Sequence, residues 1–201
     1  MKTEFYHTYK YPYASKLNPR LYEIINERAR CSIPSEADAE RGLLMHRGKI
    51  IKQPLPHNRT EWYLHKEKIK EVDTLVTWIQ NLLPEASFRQ AKGKLDKIDP
   101  KTLHDDLGFN PYAFKIHQCW GIVYKKGQGV MEHTHFPCPL AFVYYVKAPE
   151  GCAPTIFKGK RIRPKEGELL LFEGHHLHGV PPSKVEGRCV VSGLILYRPD
   201  D

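Results

Sequence analysis

The stretch "MEHTHFPCPLAFVYYV", residues 131 to 146, sets His133 and His135 two positions apart, just ahead of a dense aromatic and β-branched run. On an extended strand successive side chains alternate faces, so both imidazoles project one way and Glu132 and Thr134 the other. Two imidazoles on one face can chelate a single metal ion, with a preference for Fe, Zn, Cu or Ni over Mg or Ca. A second histidine group, His175, His176 and His178, stands at the end of the apolar run "GELLLFEG". Arg188 follows His178 by ten residues and opens the next apolar run, "RCVVSGLILYRP". A guanidinium in a buried strand is costly without an anion, and its fork suits a carboxylate. Together these residues describe a facial metal site beside a carboxylate pocket.

Such a site needs strands to carry it. From about residue 113 the chain reads as short β-branched and aromatic runs, "AFKIHQCWGIVYKK", "PLAFVYYVKA", "TIFKG", "GELLLFEG" and "RCVVSGLILYRP", separated by Gly and Pro. Five or more strands with no helix between them predict an antiparallel sandwich or barrel. The first 110 residues read as mostly helical or irregular. "NPRLYEIINERARC" predicts a helix with Asn18 as N-cap, Pro19 at its first position and Leu21, Ile24 and Ile25 on one face. "KEKIKEVDTLVTWIQNLLPEA" predicts the longest helix, with Ile69, Val72, Leu75, Val76, Ile79 and Leu82 in one stripe and Pro84 as its end. The expected fold is one α+β domain over 1–201. Residues 1–110 form a support region and 111–201 an all-β core.

The sequence here resembles the Fe(II)/2-oxoglutarate-dependent oxygenases of the double-stranded β-helix (jelly-roll) fold. It is most similar to a prolyl-4-hydroxylase-like group that carries H-x-H where most relatives carry H-x-D. The matching stretches are "CWGIVYKKGQGVMEHTHFPCPLAFVYYVKAP" and "PKEGELLLFEGHHLHGVPP…GRCVVSGLI", between about residues 115 and 199. The His-to-Arg spacing with its flanking Gly-Val-Pro-Pro is the specific part. The resemblance implies Fe(II) and 2-oxoglutarate as cofactors and dioxygen as partner. It also implies a hydroxylase that oxidises a C–H bond while 2-oxoglutarate loses carbon dioxide to become succinate. By resemblance His133 is the first iron ligand and His178 the distal one, with His176 as the alternative. Arg188 would bind the remote carboxylate of 2-oxoglutarate, with Ser192 and Tyr124 as further contacts. The family often has Ser two residues past the arginine, where this chain has Val190. His135 stands where the usual set has a carboxylate. Either it is the third ligand, or that coordination place is left to water or halide; same-face geometry favours ligation.

The remaining chemistry-bearing residues read as structure. Trp120, Tyr144, Tyr145 and Phe172 are expected in the core, and Cys138 and Cys189 close to the site as packing. Asp105 and Asp106 suit a turn. His7, His46, His57, His65, His104 and His117 lack a second partner at ligand spacing, and His175 and His176 would line the pocket. Five scattered cysteines, no apolar leader and no run of eighteen apolar residues predict a reduced, cytoplasmic protein without membrane contact. In that setting the sequon Asn58-Arg-Thr60 is a chance match.

A net charge of +8 favours anionic partners, and "FKGKRIRPKEG" is its densest cluster, suited to an exposed strand edge. A cupin-type metalloprotein that does not use 2-oxoglutarate is a second reading, although it leaves Arg188 without a role. A basic β module that binds nucleic acid or sits in a virion is a third, and it leaves the histidines unexplained. The primary substrate could be a peptide, an amino acid or a nucleobase.

Overall fold

The computed structural model describes residues 5–31, 43–46, 49–52, 58–94 and 109–199. Among the described residues eleven strands and two α-helices follow one another. They are β1 (Tyr6–Lys10), α1 (Ala14–Cys31), β2 (Leu43–His46), β3 (Lys49–Lys52), α2 (Lys70–Lys94), β4 (Phe114–Tyr124) and β5 (Val130–His133). Then come β6 (Leu140–Lys147), β7 (Thr155–Phe157), β8 (Lys160–Ile162), β9 (Glu168–Glu173), β10 (His178–Val180) and β11 (Arg188–Tyr197). A five-stranded antiparallel sheet has the order β1-β9-β6-β11-β4, and a four-stranded one β5-β10-β7-β8. The β2–β3 hairpin forms a small sheet of its own. This is the double-stranded β-helix, with helices packed on its larger sheet.

Alternation along the central strands sorts the core into two layers. Cys119 and Val123 of β4, Phe142 and Tyr144 of β6, and Cys189 and Val191 of β11 face Leu21 and Ile25 of α1 and Leu75, Ile79 and Leu83 of α2. Trp120, Ile122, Tyr124, Ala141, Tyr145, Leu170, Phe172 and Val190 face the smaller sheet. Gly121 lets α1 approach β4 closely, since a Cβ there would sit 2.6 Å from Ile25.

Packing overrides three local signals, since Asn18, expected as an N-cap, Pro19, expected at the first helical position, and Pro84, expected as a helix end, all lie inside helices. Helix α1 begins at Ala14, not Asn18, with the Tyr13 carbonyl accepting from the amides of Lys16 and Leu17. Asn18 is buried within the helix. Its amide donates to the Val146 carbonyl at 2.9 Å, and its side-chain oxygen accepts from the Tyr144 hydroxyl at 2.7 Å. Helix α2 runs ten residues past Pro84 to Lys94, because Leu83 and Ala86 continue the buried stripe on either side of it. That packing offsets the hydrogen bond an internal proline removes.

The residues before 110 also contribute more than helices. Strand β1 forms the edge of the larger sheet against β9. Residues 58–63 run beside β4, where Thr60 and Gly121 exchange bonds and the Cys119 amide donates to the Trp62 carbonyl. The basic "KGKRI" turn lies at the edge strand β8 of the smaller sheet. His57, His104, Asp105 and Asp106 lie outside the described residues, as does the side chain of His46. Among the described residues no helix is long and apolar enough to cross a membrane.

Candidate metal and anion site

The two sheets enclose a cavity of about 350 Å³, within the range of small-molecule sites. Its smaller-sheet wall carries His133, His135 and His178, and its larger-sheet wall carries Tyr124, Arg188, Val190 and Ser192.

Strand β10 pairs antiparallel with β5, and His178 falls directly opposite His133. Their ring centroids are 4.5 Å apart. The strand ends at His133, so the strict alternation expected through His135 does not hold. His135 is placed instead by the turn that follows. Its amide donates to the Gly174 carbonyl at 2.6 Å, and its carbonyl accepts from the Cys138 amide at 2.8 Å. Its ring still arrives 4.8 Å from that of His133 and 4.9 Å from that of His178. All three residues bring a ring nitrogen within 4.8 Å of the others.

The tautomers follow from the partners. His133 Nδ1 lies 2.8 Å from the Met131 carbonyl, and His178 Nδ1 lies 2.9 Å from the His176 carbonyl. A carbonyl can only accept, so each Nδ1 bears the proton and each Nε2 keeps its lone pair for a metal. Phe157 and Phe172 flank His178, with centroids at 5.4 and 4.6 Å. Burial in these surroundings depresses all three basicities. His133 is lowered by burial, and His135 well below the usual value by burial and then by His133 and His178. His178 is pushed down to about 3 by burial first and by His133 next. The cluster is neutral at pH 7.

Arg188 is 1% exposed. Its neighbours across the ladder and on the next strand hold it by contact, not by charge. The guanidinium carbon lies 4.4 Å over the Tyr124 ring and 5.6 Å from that of Tyr145. Nη2 reaches Thr155 Oγ1 at 3.4 Å, and that hydroxyl is 2.9 Å from the Tyr145 hydroxyl. Nε and Nη1 are buried with no hydrogen-bond partner among the described residues. Among the described residues no Asp or Glu lines the cavity. The described lining thus sets two buried guanidinium groups, Arg188 and Arg59, beside three neutral imidazoles.

Ser192 shares the cavity face with Arg188, four residues along β11, while Val190 between them is apolar wall. Tyr124 stands opposite Arg188 in register and offers its ring face. Cys189 points away from the cavity, into the layer facing the helices, so it does not flank the site. His175 and His176 do not line the cavity either; both turn toward Glu173. Sequence reasoning missed Thr155, which lies in a three-residue strand, and Trp62 and Arg59, which lie in a segment read as irregular. Trp62 packs edge-on against Trp120 at 4.8 Å and under the Arg59 guanidinium at 4.0 Å. All three line the cavity, so Trp120 is a wall residue and not only core.

No protein-family model matches the sequence. No curated protein matches it either. Solved structures do match by shape. The viral collagen prolyl hydroxylase of Paramecium bursaria chlorella virus 1, solved as its 2OG complex, aligns over 96% of this chain and 96% of its own, with TM-score 0.58 and 16% identity. A Pseudomonas putida prolyl-4-hydroxylase aligns over 98% of this chain and 94% of its own, with TM-score 0.56 and 16% identity. The fold anticipated from the histidine and arginine stretches is therefore the one found: a double-stranded β-helix shared, nearly end to end, with prolyl hydroxylases of known structure.

Proposed function

We propose that the chain is an Fe(II)- and 2-oxoglutarate-dependent oxygenase that hydroxylates a C–H bond of its substrate. The observation that carries this reading is Arg188, buried with two unpartnered N–H atoms on the same cavity as three converging imidazoles. The residues fit the cofactors. Neutral imidazole nitrogens suit Fe(II), and a buried guanidinium without a carboxylate is a standing electrostatic debt that a dicarboxylic acid would neutralise. With three neutral ligands the protein gives the metal no negative charge, so an anionic cosubstrate supplies it.

In this reading His133, His135 and His178 hold the iron. Arg188 grips the remote carboxylate, with Ser192 beside it on the same wall. Tyr124 keeps the guanidinium flat from below, and Thr155 fixes its third nitrogen through the Tyr145 hydroxyl. When bound, iron and 2-oxoglutarate together activate dioxygen, releasing succinate and carbon dioxide and leaving one oxygen atom on the substrate. The chain's part is to keep the imidazoles unprotonated, to orient the dicarboxylate between the two walls and to exclude water with Phe157, Phe172 and Val190. Trp62, Trp120 and Arg59 would meet the substrate.

Calorimetry on protein loaded with Mn(II) as a redox-inert substitute tests the assignment. 2-Oxoglutarate should bind about 100-fold more tightly than 2-oxobutyrate, which lacks the remote carboxylate, since a buried charge-assisted pair is worth about 3 kcal/mol. Equal affinity for the two acids, or loss of discrimination in none of the Arg188 variants, contradicts it.

A further inference from the structure

The turn between β9 and β10 carries a second group of donors that the cavity does not use. Glu173, the last residue of β9, is buried, with a side chain 7% exposed, and one of its oxygens faces two imidazoles. His175 Nε2 and His176 Nε2 each lie 3.4 Å from Glu173 Oε2. All three donors lie within 4.8 Å of one another. The backbone makes this possible: the His176 amide donates to the Glu173 carbonyl at 3.2 Å, closing a turn that brings positions 173, 175 and 176 to one side.

The spacing is informative. A charge-assisted N–H···O bond is shorter, about 2.7–2.9 Å. Tetrahedral metal–donor bonds of about 2.0–2.2 Å place neighbouring donors about 3.3–3.5 Å apart, which matches both contacts. Two imidazoles and a carboxylate are the donor types zinc and its neighbours take. His175 is 59% exposed, so an ion can enter from solvent, while the buried Glu173 supplies the negative charge. The three residues are absent from the walls of the cavity.

We infer that the β9–β10 turn is a second metal site, in which Glu173, His175 and His176 hold one zinc-class divalent ion in addition to the cavity's own. The ion clamps the turn whose His176 carbonyl accepts the Nδ1 proton of His178, and so steadies the acceptor that orients a cavity imidazole. The site stands on its own donors and does not depend on the oxygenase reading.

Metal-free protein at pH 7.5 is saturated with Co(II), desalted and assayed for bound metal and for the visible bands of tetrahedral cobalt. The variants are His175→Ala, exposed enough to leave the fold intact, and His133→Ala. The wild type should retain a second equivalent with tetrahedral bands. His175→Ala should lose that equivalent and the bands, whereas His133→Ala should keep both and release its cobalt bands when Zn(II) is added. A His175→Ala variant that retains as much cobalt as the wild type overturns the inference, as does a wild type whose only equivalent disappears in His133→Ala. A single equivalent lost in His175→Ala and kept in His133→Ala upholds this site and contradicts the cavity's metal assignment.

Discussion

His178 lies directly across the β5–β10 ladder from His133, and each donates a hydrogen bond from Nδ1–H to the backbone carbonyl two residues behind it. The pairing makes the proposed metal site a property of strand register: a one-residue slip would turn one imidazole to the other face. Replacing either residue by Ala should therefore cost more than the roughly 10–100-fold in metal affinity that loss of an outer-shell partner causes. Equilibrium dialysis with Mn(II) measures it. A His178→Ala variant with wild-type affinity would remove His178 from the ligand set.

Arg188 should trade stability for function. A buried guanidinium with two unpaired N–H groups is unfavourable until an anion arrives. Arg188→Met, which keeps the volume, is expected to leave the denaturation midpoint of the ligand-free protein unchanged or raise it. The same change should weaken 2-oxoglutarate by about 100-fold. A strongly destabilised Arg188→Met with intact 2-oxoglutarate binding would reverse the account.

Gly174 is needed for His135. A Cβ at this position would overlap the Cys138 carbonyl, and the Gly174 carbonyl receives the His135 amide. Gly174→Ala should push the 135–138 turn away and weaken metal binding while the sheets remain folded. Unchanged Mn(II) affinity, read beside an unchanged far-ultraviolet spectrum, would show that His135 is placed by other means.

Acid should destabilise the metal-free protein. His178 is held near 3 in the fold but titrates at the ordinary 6.5 when unfolded. Between those values the unfolded chain binds a proton that the folded one does not, so stability falls as pH drops below 6.5. At pH 5 this one residue costs about 2 kcal/mol relative to pH 7.5, and His133 and His135 act in the same direction. Urea midpoints at the two pH values measure the loss, and His178→Phe should shrink it. Equal midpoints would mean that the imidazoles are not buried neutral.

Asn18 separates scaffold from site. Its two buried hydrogen bonds tie α1 to β6. Asn18→Ala strands the Val146 carbonyl and should cost about 1–3 kcal/mol in a urea titration, with Mn(II) affinity unchanged. A variant as stable as the wild type would show that helix α1 is held by its apolar face alone.

Strands β4, β6, β9 and β11 of the larger sheet were readable because most of each run is buried on both faces. Such runs are nearly continuous in apolar residues, as "LAFVYYV" is. Strands β1 and β10 were not, because they are short and polar and gain their form only from pairing. The histidines and Arg188 stood out by type and spacing. Thr155 and Trp62 did not: a single threonine and a tryptophan in an irregular segment acquire meaning only when the fold carries them to the cavity. Asn18 and Pro84 misled for the opposite reason. Their local preferences are clear, but buried partners on β6 and along α2 outweigh them.

In the proposed site one ion, held by His133, His135 and His178, and one dicarboxylic acid, held by Arg188, share the cavity. Anaerobic addition of 2-oxoglutarate to the Fe(II)-loaded protein tests it most directly, through the visible charge-transfer absorption of the iron–oxo-acid chelate. The expected result is a band that saturates with 2-oxoglutarate, disappears in His178→Ala and requires far more of the acid in Arg188→Ala. No band in the wild type, or a band indifferent to both substitutions, would contradict it.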